Sequence, residues 1–163
     1  RRAQMSFWLM KSEPESFSID DLSKRPRQIE PWDGIRNYQV RNMMRDDMNP
    51  GDLAFFYHSS CPKPGIYGAM EIVSRAYPDP TQFDPKNHHY DAKSKPEEPR
   101  WLLVDVKFRC KFEKPILLET LREKAERFKG LRILERGTRL SVVPVSPAHW
   151  KALCKLAQVS PEL

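Results

Sequence analysis

Apolar positions in this chain fall into short runs and alternations, with no long periodic face. Phe7-Trp8-Leu9-Met10 is a continuous apolar run, which reads as a buried first strand. After the turn Asn49-Pro50-Gly51-Asp52, Leu53 to His58 reads as a second strand. Pro62, Pro64 and Gly65 mark a loop, and Ile66 to Ala76 a further strand. The clearest strand comes later, where Leu102, Val104, Val106, Phe108, Cys110 and Phe112 alternate with Leu103, Asp105, Lys107, Arg109 and Lys111. One of its faces is expected to be buried and the other mostly charged. Arg139 to Val145 reads as a closing strand.

Helical signals sit between these strands. Ser18 caps a short helix that starts Ile19-Asp20-Asp21-Leu22, with an acid three residues after the cap. Asn37 to Asp46 places Tyr38, Arg41, Asn42 and Arg45 on one flank and Val40, Met43 and Met44 on another. Leu117 to Arg127 is a third helix, and Ser146-Pro147 opens a last one. Pro26 and Pro31 bracket a loop. Tyr77 to Pro99 is a second, much longer loop, rich in Pro, Asp, Lys and His, and a loop of that length in a compact domain is functional or mobile. No regular βαβ alternation is present, so antiparallel pairing should dominate. The expected fold is α+β: a small, partly closed mixed β-barrel with short α-helices around it.

At 163 residues the chain is one domain's worth, large enough to bury a core without staples. Residues 1–5 are expected to be a leader, with Met5 a candidate start; 6–157 form the domain and 158–163 a C-terminal tail. No apolar run approaches bilayer length, so no membrane partner is expected. The first apolar stretch is too short for a signal peptide, which argues against secretion. Cys61, Cys110 and Cys154 are odd in number and lack CxxC spacing, as suits idle thiols in a reducing compartment. The net charge of +6, or +4 without Arg1 and Arg2, favours polyanion partners modestly.

Much familiar chemistry is absent. The sequence has no Walker A loop, no GxGxxG and no GxSxG elbow. His58, His88, His89 and His149 have no cysteine at finger spacing, so no metal and no cofactor are expected. Asp79, Asp84 and Asp91 read as loop caps more readily than as an acid cluster.

Three segments carry polar residues that a plain fold does not require. Lys11-Ser12-Glu13-Pro14 follows a buried strand directly. Lys11 offers a point charge for a phosphate, Ser12 a donor or acceptor, and Glu13 an acceptor for an amino group or an Arg. A simple helix-capping turn is the competing reading. Trp32-Asp33-Gly34-Ile35-Arg36-Asn37-Tyr38, continuing through Arg41 and Asn42, interleaves aromatic and polar side chains as a flipped-base pocket requires. Here Trp32 is either a stacking platform or a core Trp with a solvated helix behind it. Arg139-Leu140-Ser141 re-enters a strand, placing Arg139 either near Lys11 as a second phosphate contact or against Glu13 as a structural partner.

These segments, with Trp8-Leu9-Met10, Phe56-Tyr57-His58-Ser59, Val142 and Tyr77-Pro78-Asp79-Pro80-Thr81-Gln82-Phe83, resemble the EVE domain family from about Ser6 to Trp150. That family includes the thymocyte nuclear proteins and bacterial counterparts. The resemblance implies a PUA-like barrel related to the YTH readers of N6-methyladenine in RNA. It implies that Trp32 is the first wall of an aromatic cage, that Lys11 and Ser12 contact base and phosphate, and that Arg139 contacts a second phosphate. It also implies recognition of modified cytosines such as the 5-methyl and 5-hydroxymethyl forms. The chain departs from the YTH pattern in lacking a clear second cage Trp. Trp101, Tyr38, Tyr57 and Trp8 are candidates for the opposite wall, while His58 and Ser59 add polar groups.

The leading expectation is therefore a nucleic-acid-binding reader, on DNA or RNA, working in the cytoplasm of a bacterium or the nucleus of a eukaryote. Its candidate ligand set is Trp8, Lys11, Ser12, Glu13, Trp32, Asp33, Arg36, Asn37, Tyr38, Asn42, Tyr57, His58, Ser59, Arg139 and Ser141, with no catalytic residue assigned. An enzyme on a nucleobase or small amide, using Lys11, Glu13, His58 and Asp33, is the alternative. A protein-binding module with a steering basic surface is the third.

Overall fold

The structure is a computed structural model that describes residues 5–137 and 139–163. Six strands form one mixed sheet: β1 (Phe7–Ser12), β2 (Ile29–Pro31), β3 (Leu53–His58), β4 (Gly65–Ile72), β7 (Asp105–Leu117) and β8 (Val142–Val145). Their order is β2-β7-β4-β3-β1-β8, and the sheet curls into a half-barrel. A separate two-stranded ribbon pairs β5 (Tyr77–Pro78) with β6 (Leu102–Leu103). Four short helices flank the sheet: α1 (Ile19–Lys24), α2 (Tyr38–Asp46), α3 (Leu118–Glu123) and α4 (Pro147–Leu156). All pairings within the sheet are antiparallel except β1 with β3.

Both faces of the sheet are covered, and this explains the continuous apolar runs of β1 and β3. Leu9, Phe55 and Tyr57 point into one core with Phe112, Phe128 and Trp150. Trp8, Met10, Ala54 and Phe56 point into the other with Ile19, Leu22, Trp32, Val40 and Met44. A strand buried on both sides has no polar face to alternate with. Trp150 is the anchor of the first core, stacked on Phe55 at 3.9 Å and on Phe7 at 4.7 Å between centroids.

Local chemistry sets the helix starts. Ser18 and Asp21 form a reciprocal capping box at α1. Asn37 caps α2 by accepting from the Val40 N–H at 3.0 Å, and Ser146 with Pro147 opens α4.

Several expected boundaries move. The loop between Pro26 and Pro31 contains a 3-10 turn and β2, which pairs with β7. The third strand ends at Ile72, well short of Ala76. The helix expected over Leu117 to Arg127 stops at Glu123, and a 3-10 turn continues from Ala125 to Phe128. Gly130 to Leu134 contains a 3-10 turn, Arg132–Leu134. Arg139 and Leu140 precede the closing strand, which begins at Val142.

The alternation over Leu102 to Phe112 is misleading in an instructive way. Leu103, assigned to the charged face, is fully buried. Farther along, Val106 lies in the α1–α2 core and Phe112 in the Trp150 core, although both fall on the same side of a simple alternation. Register shifts against β4 add residues to β7, so the strand crosses from one core to the other. Such bulges also bend the strand and help curl the sheet. The expected tail, 158–163, folds back: Val159 and Leu163 pack on the core, and the Trp150 indole N–H donates to the Pro161 carbonyl at 2.9 Å.

The long loop is built around one buried amide. Gln82 has no exposed surface. Its Nε2 donates to the Asp79 carbonyl at 2.7 Å and the Trp101 carbonyl at 2.8 Å. Its Oε1 accepts from Ser94 Oγ at 2.6 Å and the Trp101 N–H at 3.0 Å. Asp79, Asp84 and Asp91 act as caps, accepting from the backbone N–H groups of Thr81, Lys86 and Lys93. A fully satisfied polar hub of this kind rigidifies a segment without an apolar core. Gln82→Ala should therefore cost about 3 kcal/mol, because it strands several buried partners. Urea denaturation checks the loss, and limited proteolysis should show new cleavage between residues 84 and 100.

Candidate nucleic-acid-binding cleft

The parallel pair β1 and β3 ends at Ser12 and His58, and the Ser59 N–H donates to the Ser12 carbonyl at 3.0 Å. The Lys11 N–H donates to the Ser141 carbonyl at 2.8 Å, which brings the 139–141 segment to the same rim. Beyond these strand ends lies a cleft of about 670 Å³. It is lined by Lys11, Ser12, Glu13, Trp32, Asp33, Ser59, Arg139 and Ser141 from the expected set.

Trp32 is pinned at the cleft by its N–H, which donates to the Val104 carbonyl at 2.8 Å. Its ring is backed edge-to-face by Phe56 at 5.3 Å and by Phe17 at 6.3 Å. It is only 7% exposed and belongs to the α1–α2 core as well as to the cleft wall. Trp32 is thus a core Trp that also borders the cleft. The indole nitrogens separate this Trp from the others. Trp8 donates to Asp52, Trp101 to Asp91 and Trp150 to Pro161. Among the described residues Trp32 is the one Trp whose indole N–H makes no bond to a protein acceptor, and since it is not a buried donor left without a partner it is open to solvent.

Seven residues of the expected set lie outside the cleft lining, each for a local reason. Trp8 is held in the core by its bond to Asp52 at 3.0 Å. Tyr57 faces the Trp150 core, where burial pushes its phenol up to about 12. His58 accepts the Ile19 N–H on Nε2 at 3.2 Å and stacks on Tyr67 at 4.1 Å. Asn37 is spent on capping α2, and Asn42 accepts from Arg41. Tyr38 stacks on Trp101 at 4.7 Å, which removes both from the opposite wall. Arg36 is a strut, donating to Asp79, to Thr81 Oγ1 and to the His89 carbonyl. Of the acid-base set of the enzyme alternative, Lys11, Glu13 and Asp33 line the cleft, whereas His58 is engaged with Ile19 and Tyr67.

The residues that sequence reasoning missed come mainly from two places. Phe17 returns to the rim because Glu13 accepts the N–H groups of Ser16 and Phe17 and Ser12 Oγ donates to the Phe17 carbonyl. Asn87, His88 and His89 arrive on the long loop. The signal for them was Gly34. Its φ of +83° suits glycine, and a Cβ there would lie 2.6 Å from His89 Nε2. The Gly34 N–H donates to Asp79 at 2.8 Å, clasping the loop to the Trp32 turn.

The cleft mixes charge. Lys11, Arg25 and Arg139 face Glu13, Glu30 and Asp33. Arg25 pairs with Glu30 at 3.1 Å, whereas among the described residues Lys11 and Arg139 have no carboxylate partner. Burial lowers the Lys11 pKa. Burial, and then the neighbouring Asp79, raise that of Asp33. Burial followed by His88 and Arg36 lowers that of His89, which favours a neutral ring. The cleft thus combines cations that suit phosphate, carboxylate and histidine groups that suit a base edge, and an aromatic wall. Among the described residues no group of three or more His, Cys, Asp or Glu is placed to hold a metal ion.

The EVE domain family matches residues 6–156. The chain belongs to that family. This EVE domain is 44% identical to mouse thymocyte nuclear protein 1 over 171 residues, covering 96% of the chain and 75% of the relative. A crystal structure of human THYN1 protein in complex with 5-methylcytosine-containing DNA superposes with a TM-score of 0.87. It is 43% identical, with 96% of this chain and 99% of that one covered. A Pseudomonas syringae protein of known structure is 46% identical, with a TM-score of 0.87 and coverage of 93% and 99%. A Zygosaccharomyces rouxii YTH domain, at 13% identity and a TM-score of 0.54, shares the fold alone. The PUA-like half-barrel expected for an EVE domain is the fold observed.

Asp79 supplies a pH test of the clasp. Burial raises its pKa, but hydrogen bonds from Thr81, Gly34 and Arg36 outweigh this and hold it below the ordinary aspartate value. A depressed carboxylate contributes stability above the unfolded pKa and loses it as pH falls through the folded value. Asp79→Asn should therefore be less stable than the parent at neutral pH, with the difference shrinking below about pH 4. Urea midpoints measured against pH check this.

Proposed function

We propose that this EVE domain reads a modified cytosine, carrying a 5-methyl or 5-hydroxymethyl group, by taking the base out of DNA into the Trp32 cleft. The observation that carries the reading is the indole of Trp32, which lines the cleft and, among the described residues, has no protein acceptor for its N–H. The complex of the human relative with 5-methylcytosine-containing DNA supports both the ligand class and the choice of DNA over RNA. A base extruded from a helix needs stacking area and partners for its edge. Trp32 gives the first, and Asp33, Glu13 and Ser59 supply acceptors that suit the cytosine amino group. Lys11 and Arg139, both in the cleft lining, would take the flanking phosphates. The compartment follows from the source, the nucleus in a eukaryotic cell and the cytoplasm in a bacterium. Among the described residues no helix is long and apolar enough to cross a membrane.

Fluorescence anisotropy with matched modified and unmodified duplexes tests this. Trp32→Ala should lose about 1–3 kcal/mol of affinity for the modified duplex. Because Trp32 also packs in a core, Trp32→Phe serves as the folded companion and should lose part of the preference. Lys11→Ala should weaken both duplexes alike and flatten the slope of log K against log salt by about 0.9. Undiminished preference for the modified duplex in both Trp32 variants overturns the reading.

A further inference from the structure

A second polar cleft, of about 340 Å³, is lined by Arg41, Lys93, Lys95, Glu98, Pro99 and Arg100. Four of these six side chains are cationic and one is acidic. Among the described residues none of the four cations pairs with a carboxylate within 4.0 Å. Lys93 and Lys95 are exposed, and Arg41 and Arg100 are partly buried.

The frame of this cleft is built, which distinguishes it from a chance gathering of lysines. Arg41 Nη1 donates to the Arg100 carbonyl at 3.0 Å, tying α2 to the end of the loop. Lys95 and Glu98 form a β-bridge, with the Glu98 N–H donating to the Lys95 carbonyl at 2.9 Å. The Arg100 N–H donates at 3.0 Å to Ser94 Oγ, which is itself held by Gln82. The Lys93 N–H is fixed by Asp91 at 2.9 Å. The backbone positions of Lys93, Lys95 and Arg100 are thus set by the network that orders the loop, and Arg41 reaches it from α2.

An exposed aromatic surface adjoins the cleft. Tyr38 is 49% exposed, stacks on Trp101, and has the Arg41 guanidinium over its ring at 4.7 Å. Arg36 lies over the Trp101 ring at 5.7 Å and bonds the His89 carbonyl at the rim of the first cleft. A chain of contacts, His89 to Arg36 to Trp101 to Tyr38 to Arg41, therefore joins the two clefts.

We propose that this Arg41–Lys93–Lys95–Arg100 cleft binds the sugar-phosphate backbone of the nucleic acid whose base enters the Trp32 cleft. The inference rests on the reading of the Trp32 cleft as a base pocket. Unpaired cations on a fixed frame contribute through release of condensed counterions, which is independent of sequence. Such contacts position the strand and leave the reading of the base to the pocket. The one loop serves both ends, offering Asn87, His88 and His89 to the base and Lys93, Lys95 and Arg100 to the backbone.

The test is the double variant Lys93→Ala with Lys95→Ala, titrated with modified and unmodified duplex DNA across a salt series and with 5-methyl-dCMP. Both side chains are exposed, so the fold should persist, as circular dichroism verifies. The expected result is weaker binding of both duplexes, a salt slope flatter by about 1.8, an unchanged modified-to-unmodified ratio and unchanged mononucleotide binding. A salt slope equal to the parent's overturns the proposal and leaves the pocket reading standing. A flattened slope in a parent that shows no preference for the modified duplex upholds the second cleft while the pocket reading falls. An acidic peptide that binds here in competition with no DNA, with the duplex slope unaltered, overturns it in favour of a protein partner.

Discussion

The buried carboxylate of Asp79 is the contact on which the cleft depends. It accepts from the Gly34 N–H, from Arg36 and from Thr81, on a side chain with no solvent exposure. Such a group is costly to bury unless its acceptor capacity is filled, and here it is filled from both sides of a junction. On one side is the Trp32–Gly34 turn, and on the other the loop that carries His89. Without the clasp, only the Arg36 bonds to the His89 carbonyl would hold His89 beside Gly34. Gln82 performs the same service within the loop, so a segment with little apolar content is held by polar satisfaction.

The sheet supplies the other half of the frame. Its two cores make β1 and β3 stiff, and their parallel ends carry Lys11, Ser12 and Ser59 to one rim. A rigid scaffold with functional side chains on the loops beyond it is a common division of labour. The electrostatics follow from that placement. Lys11 is partly desolvated and, among the described residues, has no carboxylate within 4.0 Å, so an anion beside it would relieve an existing cost. Asp33 and His89 are held toward their neutral forms, which suits hydrogen bonding to a base edge more than binding a free ion.

The fold was largely legible because its signals are local. Ser18 and Ser146 announce two helix starts through capping chemistry, and the buried runs announce β1 and β3. Bulges were not legible, since the side to which Phe112 turns depends on its pairing with β4. The cleft was legible in part. Residues at strand ends, such as Lys11, Ser59 and Ser141, could be placed from the strand pattern alone. Arg36, Asn37 and Tyr38 looked equally suitable by residue type, but one became a strut, one a cap and one a lid on Trp101. Their roles depend on partners about forty to sixty residues away, or on helix geometry, which composition does not encode. Asn87 to His89 were hidden for the same reason, and only the left-handed Gly34 hinted that something would lie close.

The central claim is that a modified cytosine leaves the duplex and lies against Trp32. A crystal structure of this chain with a duplex carrying one 5-methylcytosine tests it most directly. The modified base should lie out of the helix, in van der Waals contact with the Trp32 ring, with a flanking phosphate on Lys11 or Arg139. A complex in which the base stays paired inside the duplex and the Trp32 cleft holds no nucleotide would contradict it.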